Sequence, residues 1–208
     1  MSRPVFAVAL ALAVTPIAAQ AQAGGSLPPG WSARLDRPTA AMAEVKFATM
    51  GGGLHLTTGP HVILWREADQ TAGRFHTEAT ITRTKAPAHA ESYGLIFGGR
   101  DLAGEGQAYY YFLVRADGKF LIRKREGATV TDVTTGWADG AGIAKADAAG
   151  KATDKLEIAA TATTVRFSVN GNLVHEIPAT GLNLQGVVGL RASHSLDLHI
   201  EGFVVHKM

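Results

Sequence analysis

Aromatic rings and guanidinium groups crowd into residues 107–125, QAYYYFLVRADGKFLIRKR, and this stretch has the most chemistry to offer. A sugar-binding surface needs flat apolar faces for C–H packing and fork-shaped donors for hydroxyls or carboxylates. Asp117-Gly118 is a hairpin turn signal, because both positions tolerate φ > 0. With those two residues as the turn, Ala116 opposes Lys119, Phe112 opposes Arg123 and Tyr110 opposes Arg125, and opposed residues share a face. One face then carries Tyr110, Phe112, Val114, Leu121, Arg123 and Arg125. From it the expected ligand-binding residues are Tyr110, Arg123 and Arg125. The plainer reading is an arginine lying over a tyrosine on a solvated face. A one-residue slip would exchange the faces.

Other constellations offer less. Glycoside cleavage by paired carboxylates needs two acids a few ångströms apart. Glu78 stands alone on its expected strand, Glu126 sits at a strand end, and Asp197 and Glu201 are separated by His199. Asp197 and His199 project from one strand face and suggest a shared ion, with His194 beside them. A complete metal site would need a ligand from elsewhere, such as His175, which nothing in the sequence selects, so no metal is expected. Asp101, in a Gly-rich loop, is the one acid suggestive of calcium. There is no G-x-S-x-G for a serine nucleophile and no phosphate-cradling loop, so Gly51-Gly52-Gly53 and Gly98-Gly99 read as turn glycines. The chain contains no cysteine, which removes disulfides, thiol nucleophiles and thiolate metal sites. No cofactor is expected.

The elements that must position these residues are strands. Residues 74–84 alternate strictly, with Phe75, Thr77, Ala79 and Ile81 on one side and His76, Glu78, Thr80 and Thr82 on the other. Residues 93–99 are apolar on both faces and predict a central strand. Further strands are expected at residues 43–50, 54–57, 61–65, 129–133, 155–162, 164–169, 172–177 and 186–192, with Leu196, Leu198, Ile200 and Phe203 pointing inward near the end. Asn170-Gly171 predicts a type I′ turn. Residues 66–72 read as a polar loop and residues 134–154 as a long irregular stretch. About a dozen strands with frequent turns and no amphipathic helix predict an all-β fold, a two-sheet antiparallel sandwich.

The motifs YGLIFGGRDL, AYYYFLVRADGKFLIRKREG, DKLEIAATATTVRFSVNGNLVHEI and GVVGLRASHSLDLHIEGFVVHK together resemble the concanavalin A-like lectin/glucanase superfamily. The likeness is greatest to laminin-G-like modules and to secreted bacterial 3-keto-disaccharide hydrolase domains. It runs from about Val45 to the end, through Gly94 to Phe97, Tyr109 to Arg123, Val169 to Gly171 and Gly186 to Leu190. The resemblance implies a jelly roll of two curved sheets whose concave face often carries a glycan, and together with the Tyr/Arg face it leads to the expectation of a domain that binds a carbohydrate or related small ligand without cleaving it. Its alternatives are a hydrolase or lyase acting on a keto-modified sugar, and a cell-envelope interaction domain. The E-x-D-x-E run of the laminarinase-like relatives is absent.

Composition and the first residues bound the rest. Ser2-Arg3, an apolar run over residues 5–14 and the A-x-A pairs ending at Ala21 and Ala23 predict a secretory signal peptide over residues 1–23. The run is too short to span a bilayer. A Gly/Pro-rich arm over residues 24–42, which Trp31 could pin to the body, then leads into one domain over residues 43–208. The expected location is periplasmic or extracellular. The net charge of +2 falls to +1 without Arg3, which is not the field of a nucleic-acid binder. The sequence leaves the oligomeric state open. Expressed with its leader in a secretion-competent bacterium, the chain is expected to yield a product starting at Gln22 or Gly24. Intact-mass spectrometry checks this, and a product retaining Met1 in the exported fraction would rule the leader out.

Overall fold

A computed structural model describes residues 27–37 and 40–208, so the leader expected over residues 1–23 and the start of the arm lie outside the described residues. Two antiparallel sheets make up the chain. One runs β1 (Ser32–Leu35), β4 (Val62–Ala72), β14 (Gln185–Ala192), β6 (Ser92–Arg100), β7 (Ala108–Arg115), β8 (Lys119–Glu126) and β10 (Ala138–Asp139), with β9 (Thr129–Asp132) also pairing with β8. The other runs β13 (Asn172–Pro178), β12 (Thr164–Val169), β11 (Ala152–Ala160), β5 (Phe75–Arg83), β15 (Asp197–Lys207), β3 (Gly53–Thr57) and β2 (Lys46–Met50). This is the expected two-sheet jelly-roll sandwich. Among the described residues the only helical turn is 3-10, at Met42–Glu44, and no helix is long and apolar enough to cross a membrane.

Alternation explains how the sheets face each other. Along β5 every odd-numbered residue from Phe75 to Arg83 is buried and every even one half-buried. β6, between β14 and β7, is buried on both faces from Ser92 to Gly99, as its unbroken apolar run requires. The inter-sheet core is largely aromatic: Phe97 stacks on Tyr110 at 5.1 Å between ring centroids, and Phe112 meets Phe167 at 5.2 Å. Such pairs add about 1 kcal/mol each beyond the area they bury.

One buried polar knot pins the long 140–150 connection. Asp154 is fully buried, and its carboxylate accepts hydrogen bonds from the Tyr93 hydroxyl, the Ala144 N–H and the Asn170 side chain at 2.8–3.1 Å. Burial raises its pKa, against the lowering effect of those three donors.

Three expectations change. Residues 66–72 belong to β4. Between Trp65 and Gln70 four residues bulge out of the pairing with β14 (Gly189 faces Trp65, Val187 faces Gln70), which is why the segment reads as polar and aperiodic. Part of the expected arm is β1, paired with β4 from Ser32 opposite Trp65 to Leu35 opposite Val62. The third is the β7–β8 connection. Its partners are Arg115 with Lys119, Phe112 with Ile122 and Tyr109 with Arg125, so the loop is Ala116-Asp117-Gly118, three residues rather than two. Only Gly118 has positive φ, at 89°, whereas at the true two-residue turn both Asn170 (50°) and Gly171 (78°) do. Asp117 instead bridges to Lys145 and accepts from the Arg115 guanidinium.

Close approach of strands sets the tolerance of β6. A Cβ added to Gly94 would stand 2.0 Å from the Phe112 carbonyl oxygen, a backbone atom in the middle of the sheet. Gly94→Ala is therefore expected to destabilise the fold by about 3 kcal/mol, read as a lowered urea midpoint. An unchanged midpoint would mean that β6 and β7 do not pack this closely.

Candidate functional site

The β7–β8 register decides which residues line the outer face of the eight-stranded sheet. One row across it is Ser32, Trp65, Gly189, Ile96, Tyr111 and Arg123; the next is Arg34, Ile63, Arg191, Gly94, Leu113 and Leu121. Gly94 and Gly189 leave room for long neighbours to lie across the strands. Ile63, Trp65, Ile96, Leu102, Tyr109, Tyr111, Leu113 and Val187 form a second apolar cluster here, separate from the inter-sheet core. An aromatic floor thus lies under a layer of charged groups.

At the centre of that layer is Arg191. Its Nη1 donates to Asp36 Oδ1 at 2.8 Å and to the Tyr109 hydroxyl at 3.0 Å, its Nη2 donates to the other Asp36 oxygen, and its guanidinium lies 5.0 Å from the Tyr111 ring centroid. Arg125 Nη1 reaches the same Asp36 carboxylate at 3.5 Å, while its Nε donates to the Gly127 carbonyl at 2.9 Å. Arg123 pairs with Asp132, and the Trp65 indole N–H donates to Glu67 at 2.8 Å.

The electrostatics follow from this packing. Burial works to raise the Asp36 pKa, but the hydrogen bonds and charge of Arg191, helped by Arg125, outweigh it and hold the carboxyl below its ordinary 3.8. Burial raises the Tyr109 phenol, with Arg191 opposing, so the hydroxyl stays protonated at neutral pH. Burial likewise pushes the neighbouring His61 imidazole down, and the Arg191 charge pushes it further. Two depressions involve residues of this sheet, one reaching Trp65 and the other Asp36. One of about 460 Å³ is lined by Trp65, Glu67, Gln70, Asp101, Leu102 and Val187 among others. The second, of about 430 Å³, is lined by Asp36, Arg37, Ala40, Pro60, His61 and His194. A carboxylate that accepts and a guanidinium fork that donates, as in the partly exposed Asp36 and Arg125, suit neighbouring hydroxyls on one ligand.

The structure separates the three residues expected to act together. Arg123 and Arg125 lie on this outer face, but Tyr110 points into the inter-sheet core, 4% exposed and stacked on Phe97. The expected sharing of a face by Tyr110, Arg123 and Arg125 is corrected by the three-residue loop, which puts Tyr109 and Tyr111 beside the arginines. Sequence reasoning missed Asp36, Trp65 and Arg191. Arg191 carried a signal, being the one charge in an otherwise apolar strand, GVVGLRA; Asp36 carried none.

The other candidates disperse. Asp197 is held by His55 at 3.0 Å, Lys85 at 3.1 Å and the Thr84 hydroxyl. His199 lies near Glu201, and His194 pairs with Glu91 at 3.0 Å. His175 packs against Phe120 and Phe167. Glu126 pairs with Lys124 and Glu78 with Lys155, each at 2.8 Å. Asp101, at φ 46°, turns its carboxylate back over Gly104 and Gly106 of its own loop.

No protein-family model and no curated protein sequence matches the chain. Among solved structures it is similar to the carbohydrate-binding module CBM66 from Bacillus subtilis, with 15% identity and a TM-score of 0.63 over 85% of this chain and 95% of that one. It is also similar to a Bacillus subtilis protein of unknown function with a galectin-like fold, with 14% identity and a TM-score of 0.57 over 85% of this chain and 88% of that one. A third is a Bacteroides ovatus mixed-linkage glucan GH16 protein in complex with a G4G4G3G product, with 10% identity and a TM-score of 0.59 over 84% of this chain and 94% of that one. The shared feature is the two-sheet jelly-roll fold, as the sequence motifs implied.

Asp36 offers a direct stability test. Asp36→Asn leaves the buried Arg191 guanidinium without its counter-charge and is expected to cost about 3 kcal/mol at pH 7. Because the folded carboxyl titrates below 3.8, the pair contributes fully above that pH and loses its contribution as pH falls through the lowered value. Urea unfolding at pH 7 and pH 3 should therefore show the gap between wild type and variant narrowing in acid. A gap that stays constant would mean that the pair is not the origin.

Proposed function

We propose that this chain is a carbohydrate-binding domain whose site is the outer face of the eight-stranded sheet, centred on Asp36, Tyr109, Arg125 and Arg191, and that it binds its glycan without cleaving it. The observation that carries this is the Arg191 guanidinium, fixed by two-point pairing to Asp36 and lying over Tyr111, with a depression beside Asp36. Sugar rings present neighbouring hydroxyls, and this face sets guanidinium forks and a carboxylate over a buried aromatic floor. The names of two similar structures, a carbohydrate-binding module and a glucan-complexed GH16 protein, agree with a glycan ligand. Binding without cleavage is supported by the state of the acids. Asp36 is held ionised between two guanidinium groups, which suits it to accept hydrogen bonds and not to donate a proton. Glu67 is engaged by the Trp65 indole. Export, on the strength of residues 1–23, would set the domain among extracellular or periplasmic glycans.

A glycan array followed by calorimetry on the best ligand tests the proposal. Arg125→Gln removes a charged donor and should weaken binding roughly tenfold or more, while Tyr110→Phe, altered in the core, should leave affinity unchanged. Equal affinity in wild type and Arg125→Gln would move the site elsewhere. An array with no ligand would refute glycan binding.

A further inference from the structure

The opposite outer face, that of the seven-stranded sheet, carries a second constellation, independent of glycan binding. Alternation along β5 projects His76 and Glu78 from one face, two residues apart. Strand register then brings in their neighbours. Glu157 of β11 stands directly across from Glu78, and His206 of β15 directly across from His76. One donor atom each from His76, Glu78 and Glu157 falls within 4.8 Å of the others, with His76 Nε2 3.7 Å from Glu157 Oε1. The His206 ring stacks on His76 at 5.8 Å between centroids.

We propose that His76, Glu78 and Glu157 bind a divalent transition-metal ion of the zinc type, leaving the fourth position to solvent. One imidazole and two carboxylates form the nitrogen-and-oxygen set that zinc takes at about 2.0–2.2 Å. Calcium and magnesium favour all-oxygen sets, so the imidazole selects against them. A tetrahedral ion with such bonds wants its ligand atoms about 3.4 Å apart, so small side-chain rotations close the observed spacing. All three donors sit on β5 and its hydrogen-bonded neighbour β11, so the backbone under them is already ordered. All three are half-buried and within reach of solvent.

The site already attracts a cation. Two carboxylates directly across from each other on neighbouring strands repel, and here the Lys155 ammonium offsets that repulsion. It lies 2.8 Å from Glu78 Oε2 and 3.6 Å from Glu157 Oε1. The Lys155 side chain is 44% exposed on a flexible stem, so a divalent ion competes with it by displacing one ammonium. The lysine thereby tunes metal affinity downward.

Zinc chloride titrated into the purified chain, by calorimetry and by competition with a chromogenic chelator, tests this. The expected result is one saturable ion per chain. His76→Ala and Glu78→Gln should each weaken it by roughly tenfold or more. Lys155→Met, which keeps the stem and removes the competing charge, should tighten it several-fold. His199→Ala, on the same face but outside the set, should leave it unchanged. Saturable binding absent from both wild type and Lys155→Met overturns the proposal, as does binding that His76→Ala does not weaken.

Discussion

Gly118 closes the β7–β8 loop at φ 89°, and everything on either face of the larger sheet depends on the register this sets. With three loop residues, Phe120 and Ile122 fall on the face of Tyr110, Phe112 and Val114, and Arg123 and Arg125 on the face of Arg115. A two-residue turn would pair Phe112 with Arg123 and force either guanidinium groups into the aromatic core or Tyr110, Phe112 and Val114 into the charged layer. An unpaired charge in the interior costs several kcal/mol, more than any turn type can return. The core therefore selects the loop, and the loop then delivers Tyr109, Tyr111, Arg123 and Arg125 to one surface.

Much of this arrangement is legible in the sequence, and particular residues mark where it is not. Strict alternation in residues 74–84 and the doubly apolar run at residues 93–99 reported β5 and β6 because half-buried and fully buried strands leave those patterns. Asn170-Gly171 reported its turn because both residues adopt positive φ. Asp117-Gly118 misled because the same dipeptide also serves three-residue loops, where only the glycine needs that conformation. Matching the polar ends of the two strands, Arg115 with Arg123 and Arg125, was the available corrective. Residues 66–69 were hidden by a bulge that breaks the period. Asp36 was hidden because its partner lies 155 residues away and nothing nearby marks it.

The two outer faces solve the same problem differently. Each sheet must present its second face to something other than the core. The seven-stranded sheet does so with exposed and half-buried charges paired across neighbouring strands, such as Lys155 with Glu78 and Arg166 with Glu176. Its carboxylates and imidazoles meet as neighbours on separate strands. The eight-stranded sheet instead buries Tyr109, Trp65 and Tyr111 almost completely and covers them with guanidinium groups sharing one carboxylate. Surface pairs of the first kind contribute little to stability, whereas the buried Asp36–Arg191 pair depends on both members being present.

The separation of Asp36 from Arg191 bears on how the molecule assembles. β1 is an early piece of chain and β14 a late one, and both flank β4 in the same sheet. Contacts this distant in sequence form slowly, because the intervening chain must be closed into a loop before they return any energy. A ribosome that stops before residue 191 leaves β4 without β14 beside it and Asp36 without its guanidinium. The pair is thus a late event, and its formation reports that β14 has been made and has taken its place beside β4.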